Sequence, residues 1–146
     1  MKTILILNGP NLNLLGLRQP EIYGEVGLDE LKFKLKEQYK KHKLIFFQSN
    51  HEGDLIDQLH NYGFDIDGIV FNAGAYAHTS IALADAIRSR KTPVIEVHIS
   101  DIENREDFRK HSYLTEACIW TITGEGIQGY FKAIDLFLSD ISKRPE

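Results

Sequence analysis

Arg18 and Tyr23 stand five residues apart in Arg18-Gln19-Pro20-Glu21-Ile22-Tyr23-Gly24. A phenol, with an ordinary pKa of about 10, is a poor base at neutral pH. A guanidinium beside it favours phenolate, and such a pair can take a moderately acidic proton from carbon. Spacing alone favours a plainer arrangement, a loop tyrosine packing its ring while the arginine faces water. His98 follows an apolar run in Glu96-Val97-His98-Ile99-Ser100, where an imidazolium would serve as a general acid; a satisfied strand-end histidine fits equally well. Asn11 and Asn72 each follow an apolar run and can both donate and accept hydrogen bonds. Asn13, inside a leucine-rich stretch, reads as a turn residue. His78 stands just before an apolar helix, whose Thr79, Ser80 and Ile81 amides would cradle an anion such as a carboxylate. His42, His51, His60 and His111 have no comparable setting and read as surface or loop residues.

Asp85 is the odd residue of Ile81-Ala82-Leu83-Ala84-Asp85-Ala86-Ile87. A helix so apolar is expected to be buried on more than one face, with a second subunit covering what the sheet does not. Its carboxylate then needs a partner, across that interface or, more plainly, at Arg88 or Arg90. Metal chemistry is weakly indicated: Glu96-x-His98 and His98-x-x-Asp101 lack a helical histidine pair or a cysteine set. No P-loop occurs, and Gly124-Glu125-Gly126 lacks the third glycine of a dinucleotide fingerprint.

The elements that must position these groups alternate regularly. Residues 4–7, 44–47, 69–71, 94–97 and 119–122 are short, mostly continuous apolar runs, as in parallel strands covered on both faces. Helical periodicity covers residues 28–41, 52–62, 80–90 and 127–141. Five β-α alternations predict an α/β fold, a flavodoxin-like doubly wound parallel sheet of order 2-1-3-4-5. Ligands of such sheets bind outside the strands' C-terminal ends, where the residues above collect. Two long connections, 9–27 and 98–117, are expected to line the site, the second with a short acidic-basic helix.

At 146 residues, the chain suits a single catalytic domain over 1–146. With 42% hydrophobic and 26% charged residues it is an ordinary globular sequence. A net charge of −4 argues against nucleic acid or anionic membranes as partners. Lys40-Lys41-His42-Lys43 is expected to cap a helix end. The single cysteine, Cys118, rules out an internal disulfide and fits a reducing, cytoplasmic setting. The opening apolar run is too short for a signal-peptide core or a membrane span.

Six segments together resemble the type II 3-dehydroquinate dehydratases (type II dehydroquinases). They are Gly9-Pro10-Asn11-Leu12-Asn13-Leu14-Leu15-Gly16, residues 18–24, Gln48-Ser49-Asn50-His51-Glu52-Gly53, residues 72–80, residues 96–100 and Arg109-Lys110-His111-Ser112-Tyr113. The resemblance runs to about Phe137. It implies a dodecamer built as four trimers, no metal or organic cofactor, and a place in the shikimate pathway of aromatic amino acid biosynthesis. The implied reaction is anti elimination of water from 3-dehydroquinate through an enolate, giving 3-dehydroshikimate. By the same resemblance Tyr23 is the base at C2, and Arg18 favours its phenolate. Asn11 holds a water against the enolate oxygen; His98 protonates the departing hydroxyl, supported by Glu96. Asn72, His78, Ile99, Ser100 and Arg109 match substrate-binding positions, with the Ile99 and Ser100 amides on the carboxylate in place of the helix cradle. Asp85 resembles a carboxylate that reaches a neighbouring subunit's site. No lysine Schiff base is implied. Two positions depart from the pattern: Ala73 stands where proline is usual, and Asp101 where asparagine is frequent. The first loosens the loop that presents Asn72, and the second adds negative charge near an anionic substrate.

Two rival readings share the fold. A signalling receiver needs an aspartate where Asn72 ends the third strand, and a flavin module needs a Ser/Thr/Gly phosphate loop after the first. A catalytically silent homologue is opposed by the intact set of polar residues.

Overall fold

The continuous apolar runs become five parallel strands in a computed structural model that describes residues 1–139. They are β1 (Thr3–Asn8), β2 (Lys43–Gln48), β3 (Gly68–Asn72), β4 (Val94–His98) and β5 (Trp120–Thr123). Their order is β2-β1-β3-β4-β5, the flavodoxin-like arrangement. Every residue of β3 and β4 is buried, as continuous apolar strands require, whereas the edge strands are only partly covered.

Alternation along each strand divides the interior into two layers. Ile4 and Ile6 of β1 face one side, where α2 (Leu28–Gln38) and α5 (Gln128–Leu138) cover them with Leu31, Leu35, Tyr130 and Ile134. Leu5 and Leu7 face the other, against Leu55 and Leu59 of α3 (Glu52–Tyr62) and Leu83 and Ile87 of α4 (Ile81–Arg88). Gly9, just past β1, runs so close to β3 that an added Cβ would lie 2.5 Å from the Ala73 carbonyl oxygen. Ala73 is itself fully buried.

α3 has the expected limits, but other helices differ at their ends. α2 stops at Gln38, three residues early. Tyr39 turns inward there, and its hydroxyl reaches Asp135 Oδ1 (2.7 Å) and the Phe131 carbonyl (3.1 Å) on α5. The basic cluster therefore falls beyond the helix: Lys43 opens β2, and His42 Nδ1 accepts from the Lys2 amide. α4 begins as its sequence implies, with Ser80 Oγ accepting from the Leu83 N–H at 2.9 Å. Within this chain, however, α4 buries only Leu83, Ala84, Ala86 and Ile87. Ile81 is 59% exposed, and Asp85 lies on the same open stripe, 3.9 Å from Arg88. Burial on more than one face is thus not met by the chain alone. The last helix was expected to reach Ile141, which lies outside the described residues.

Both long connections are more structured than their composition implies. The first holds a 3-10 turn at Leu12–Leu14 and a one-turn helix, α1 (Pro20–Tyr23). The second holds two 3-10 turns, Ile102–Asn104 and Asp107–Arg109, in place of one short helix. No described helix is long and apolar enough to cross a membrane.

Candidate active site

β1, β3 and β4 end side by side, with Asn8 registered against Asn72, and a cleft opens beyond them. It measures about 630 Å³ including its open mouth. Asn11, Arg18, Tyr23, Asn72, His78, His98, Ile99, Ser100 and Arg109 all line it. Thus the structure gathers the sequence-predicted residues, with Glu96 just behind His98. Asp85 is not brought to the cleft of its own chain.

Tyr23 ends α1, and its hydroxyl oxygen lies between two guanidinium groups. Arg18 Nη2 and Arg105 Nη1 each donate to it at 3.1 Å. The Arg18 guanidinium also sits 4.7 Å from the ring centroid. Two charge-assisted donors thus converge on one phenol oxygen. Arg105 was not singled out by sequence reasoning. Its only sequence signal is membership of the loop after β4. The same Nη1 also donates to Ser100 Oγ (3.1 Å), so Arg105 joins the first loop to the end of β4. Arg105→Ala is expected to lower kcat about tenfold to a hundredfold, because it removes one of two charge-assisted donors. Steady-state kinetics beside Arg18→Ala checks this; full activity would make Arg105 structural only.

Glu96 and His98 are two apart on β4, so both side chains leave the same face of the sheet. His98 Nε2 lies 2.6 Å from Glu96 Oε2. Three hydroxyls complete the carboxylate's shell: Ser112 on Oε2, and Thr115 (2.7 Å) and Thr121 (3.0 Å) on Oε1. Thr121 comes from β5, directly opposite Glu96 in the register. Glu96 is fully buried, and burial by itself pushes its carboxyl upward. The His98 bond and charge, with the Ser112 and Thr115 hydroxyls, outweigh this and leave it below the ordinary carboxylate value. A carboxylate only accepts, so Nε2 carries a proton and Nδ1 is the nitrogen left to serve the cleft.

His78 stacks on His98 with ring centroids 6.0 Å apart and planes at 24°. Its Nδ1 donates to the His111 carbonyl at 2.7 Å, so His111 contributes its backbone to the site. Burial chiefly lowers the His78 pKa, joined by the charges of His98 and Arg109 and opposed by the His111 carbonyl and Glu96. The helix cradle read from the sequence is absent: the Thr79 and Ser80 amides both donate to the Tyr76 carbonyl. Asn72 is held by Tyr130, whose hydroxyl accepts from Asn72 Nδ2 (2.9 Å) and donates to Asn8 Oδ1 (2.6 Å). Asp101 spends its carboxylate on its own turn, accepting from the Glu103 N–H and Asn104 Nδ2. Among the described residues, no three His, Cys, Asp or Glu side chains cluster as metal ligands.

The family described as "Dehydroquinase class II" matches residues 2–138. A 3-dehydroquinate dehydratase of Exiguobacterium is 54% identical, over 90% of each chain. One from Prochlorococcus marinus is 49% identical, over 92% of this chain and 93% of its own.

The chain belongs to the class II dehydroquinases.

Solved structures agree with this membership. The type II dehydroquinase of Butyrivibrio crossotus superposes with a TM-score of 0.91 at 43% identity, covering 94% of this chain and 98% of its own. That of Propionibacterium acnes gives 0.90 at 37% identity, covering 96% and 98%.

Proposed function

We propose that this class II dehydroquinase is a 3-dehydroquinate dehydratase, a hydro-lyase acting as a single catalytic domain over residues 1–146. It removes water from 3-dehydroquinate by anti elimination and gives 3-dehydroshikimate, a step of the shikimate pathway to aromatic amino acids. The observation that carries this reading is the Tyr23 oxygen between two guanidiniums, in a cleft shared with a buried Glu96–His98 pair. A β-hydroxy ketone needs one base, one acid and an enolate stabiliser, and these groups supply them.

Tyr23, as phenolate, takes the C2 proton, and the C–H electron pair enters the enolate. Arg18 and Arg105 hold the phenolate beforehand. Asn11 keeps a water on the enolate oxygen. The enolate then collapses, the C1–O bond breaks, and the leaving oxygen takes a proton from His98 to depart as water. Glu96 orients His98 and balances its positive charge. The proton now on Tyr23 returns to His98 through water. Asn72, His78 and Arg109 bind the substrate's polar groups, and the Ile99 and Ser100 amides hold its carboxylate. None of these steps calls on a metal, an organic cofactor or an imine. Incubation with 3-dehydroquinate tests the reading directly: the conjugated enone product absorbs in the ultraviolet. Absence of that absorbance under conditions that keep the protein folded would refute it.

The open stripe of α4 supports the assembly reading. It pairs Ile81 with Asp85, a carboxylate that does not line its own cleft. We place that stripe against a neighbour in a trimer, with four trimers forming a cytoplasmic dodecamer. Asp85 then reaches the neighbour's site. Asp85→Ala is expected to cut kcat/KM by about tenfold or more, the cost of a lost charged contact to substrate. Mass by light scattering, measured beside activity, separates lost binding from lost assembly. A fully active monomer would return Asp85 to its bond with Arg88.

A further inference from the structure

The segment Gln48-Ser49-Asn50, where β2 ends and the chain turns toward α3, has no part in the elimination scheme. It nonetheless touches the backbone beside Asn11. We propose that Asn50 is a positioning residue for Asn11. By accepting the Asn11 backbone N–H, it holds that residue in a left-handed conformation and thereby sets where the Asn11 amide meets the cleft. This rests on the role given to Asn11 above.

Asn11 has φ 68° and ψ −3°. An L-residue other than glycine occupies that region at a cost, and stays there when its surroundings over-determine it. Here the N–H of Asn11 donates to Asn50 Oδ1 at 2.9 Å, and its carbonyl accepts from the Leu14 N–H at 3.0 Å. The Asn50 amide is itself oriented. Gln48 Nε2 donates to Asn50 Oδ1 (3.2 Å) and to the Gly9 carbonyl (3.1 Å). A donor aimed at Oδ1 keeps the oxygen, rather than the nitrogen, toward Asn11. The Asn50 carbonyl accepts from the Tyr76 hydroxyl at 2.7 Å, which anchors its backbone to the loop after β3. On its other side Asn11 follows Gly9-Pro10, and the Gly9 N–H is tied to the Asn72 carbonyl at 2.7 Å. Asn11 is therefore braced from two strands, and Asn50 supplies the brace on its own N–H. Asn50 does not line the cleft and is exposed, so truncating it leaves both core layers untouched.

The test compares Asn50→Ala, Asn50→Asp and Asn11→Ala in the intact protein. Asn50→Ala is expected to lower kcat about tenfold to a hundredfold, the scale on which a displacement of about 1 Å acts, with KM within about twofold. Its Tm should stay at the wild-type value. Hydrogen exchange of the peptide containing Asn11 should speed up. Asn50→Asp keeps an acceptor oxygen at the same place and should recover most of the rate. Wild-type kcat in Asn50→Ala beside a crippled Asn11→Ala overturns the proposal, and so does an Asn50→Asp variant as slow as the alanine. If Asn11→Ala is itself fully active, the role given to Asn11 fails instead. Exchange at Asn11 then decides alone: acceleration in Asn50→Ala upholds the brace, and unchanged exchange overturns it.

Discussion

Tyr23→Phe is expected to lower kcat by about 10²–10⁴-fold, the usual worth of a positioned acid–base group, with substrate binding nearly unchanged. The substitution removes one oxygen and leaves the ring. The Arg18 guanidinium, 4.7 Å from the ring centroid, keeps its stacking partner, so the loop retains its packing. What disappears is the acceptor shared by Arg18 and Arg105, and with it the proposed base. The loss should fall on kcat alone, because the role proposed for Tyr23 is played in the transition state and adds little to ground-state binding. Steady-state kinetics and a direct substrate titration check both halves. A kcat within about tenfold of wild type would transfer the base role to another group.

His98→Asn and Glu96→Gln form the second test, and they should behave as a unit. His98→Asn removes the proposed acid and is expected to lower kcat about 10²–10⁴-fold. Glu96→Gln keeps the volume but places an amide N–H₂ where three hydroxyls and the His98 N–H all donate. At least one of these donors then loses Glu96 as its acceptor, and His98 loses the neighbouring negative charge. A fall of about a hundredfold is expected, and the double variant should be no worse than His98→Asn. Additive losses would mean that Glu96 acts elsewhere.

Glu96 also ties stability to pH. Its carboxyl binds a proton less readily in the folded chain than unfolded, despite full burial. The ionised form therefore adds stability above the unfolded value of about 4.3, and that stability is lost as pH falls through the lower folded value. Urea unfolding from pH 7 down to pH 3 should show a steep acid loss in the wild type and a shallower one in Glu96→Gln. Parallel acid slopes would detach Glu96 from this behaviour.

How much of this was legible in the residues follows from distance along the chain. Strands and helices came from local periodicity, because alternating burial acts within a few residues. The α3 limits agree at both ends, and the strand order is the expected one. The cleft was legible too, since a parallel α/β sheet brings all its strand C-termini to one edge and those ends carry Asn11, Asn72 and His98. Where a side chain from far away intervened, local pattern failed. Tyr39 ends α2 early because Asp135 on α5 takes its hydroxyl, a contact across 96 residues. Arg105 meets Tyr23 across 82 residues, and Thr121 reaches Glu96 from the next strand, 25 residues on.

The anion cradle failed for a subtler reason. Its amides lie at a helix N-terminus as read, but a 3-10 turn at Gly74–His78 uses two of them internally. Asp85 marks the limit of a single chain: on its own α4 it stays on an open stripe, 3.9 Å from Arg88. Sequence by itself determined which groups stand at the ends of the strands, since that depends on pattern and position alone. Only the tertiary structure decided which of them touch, because each hydrogen bond needs two backbones brought to within about 3 Å by the packing of both layers.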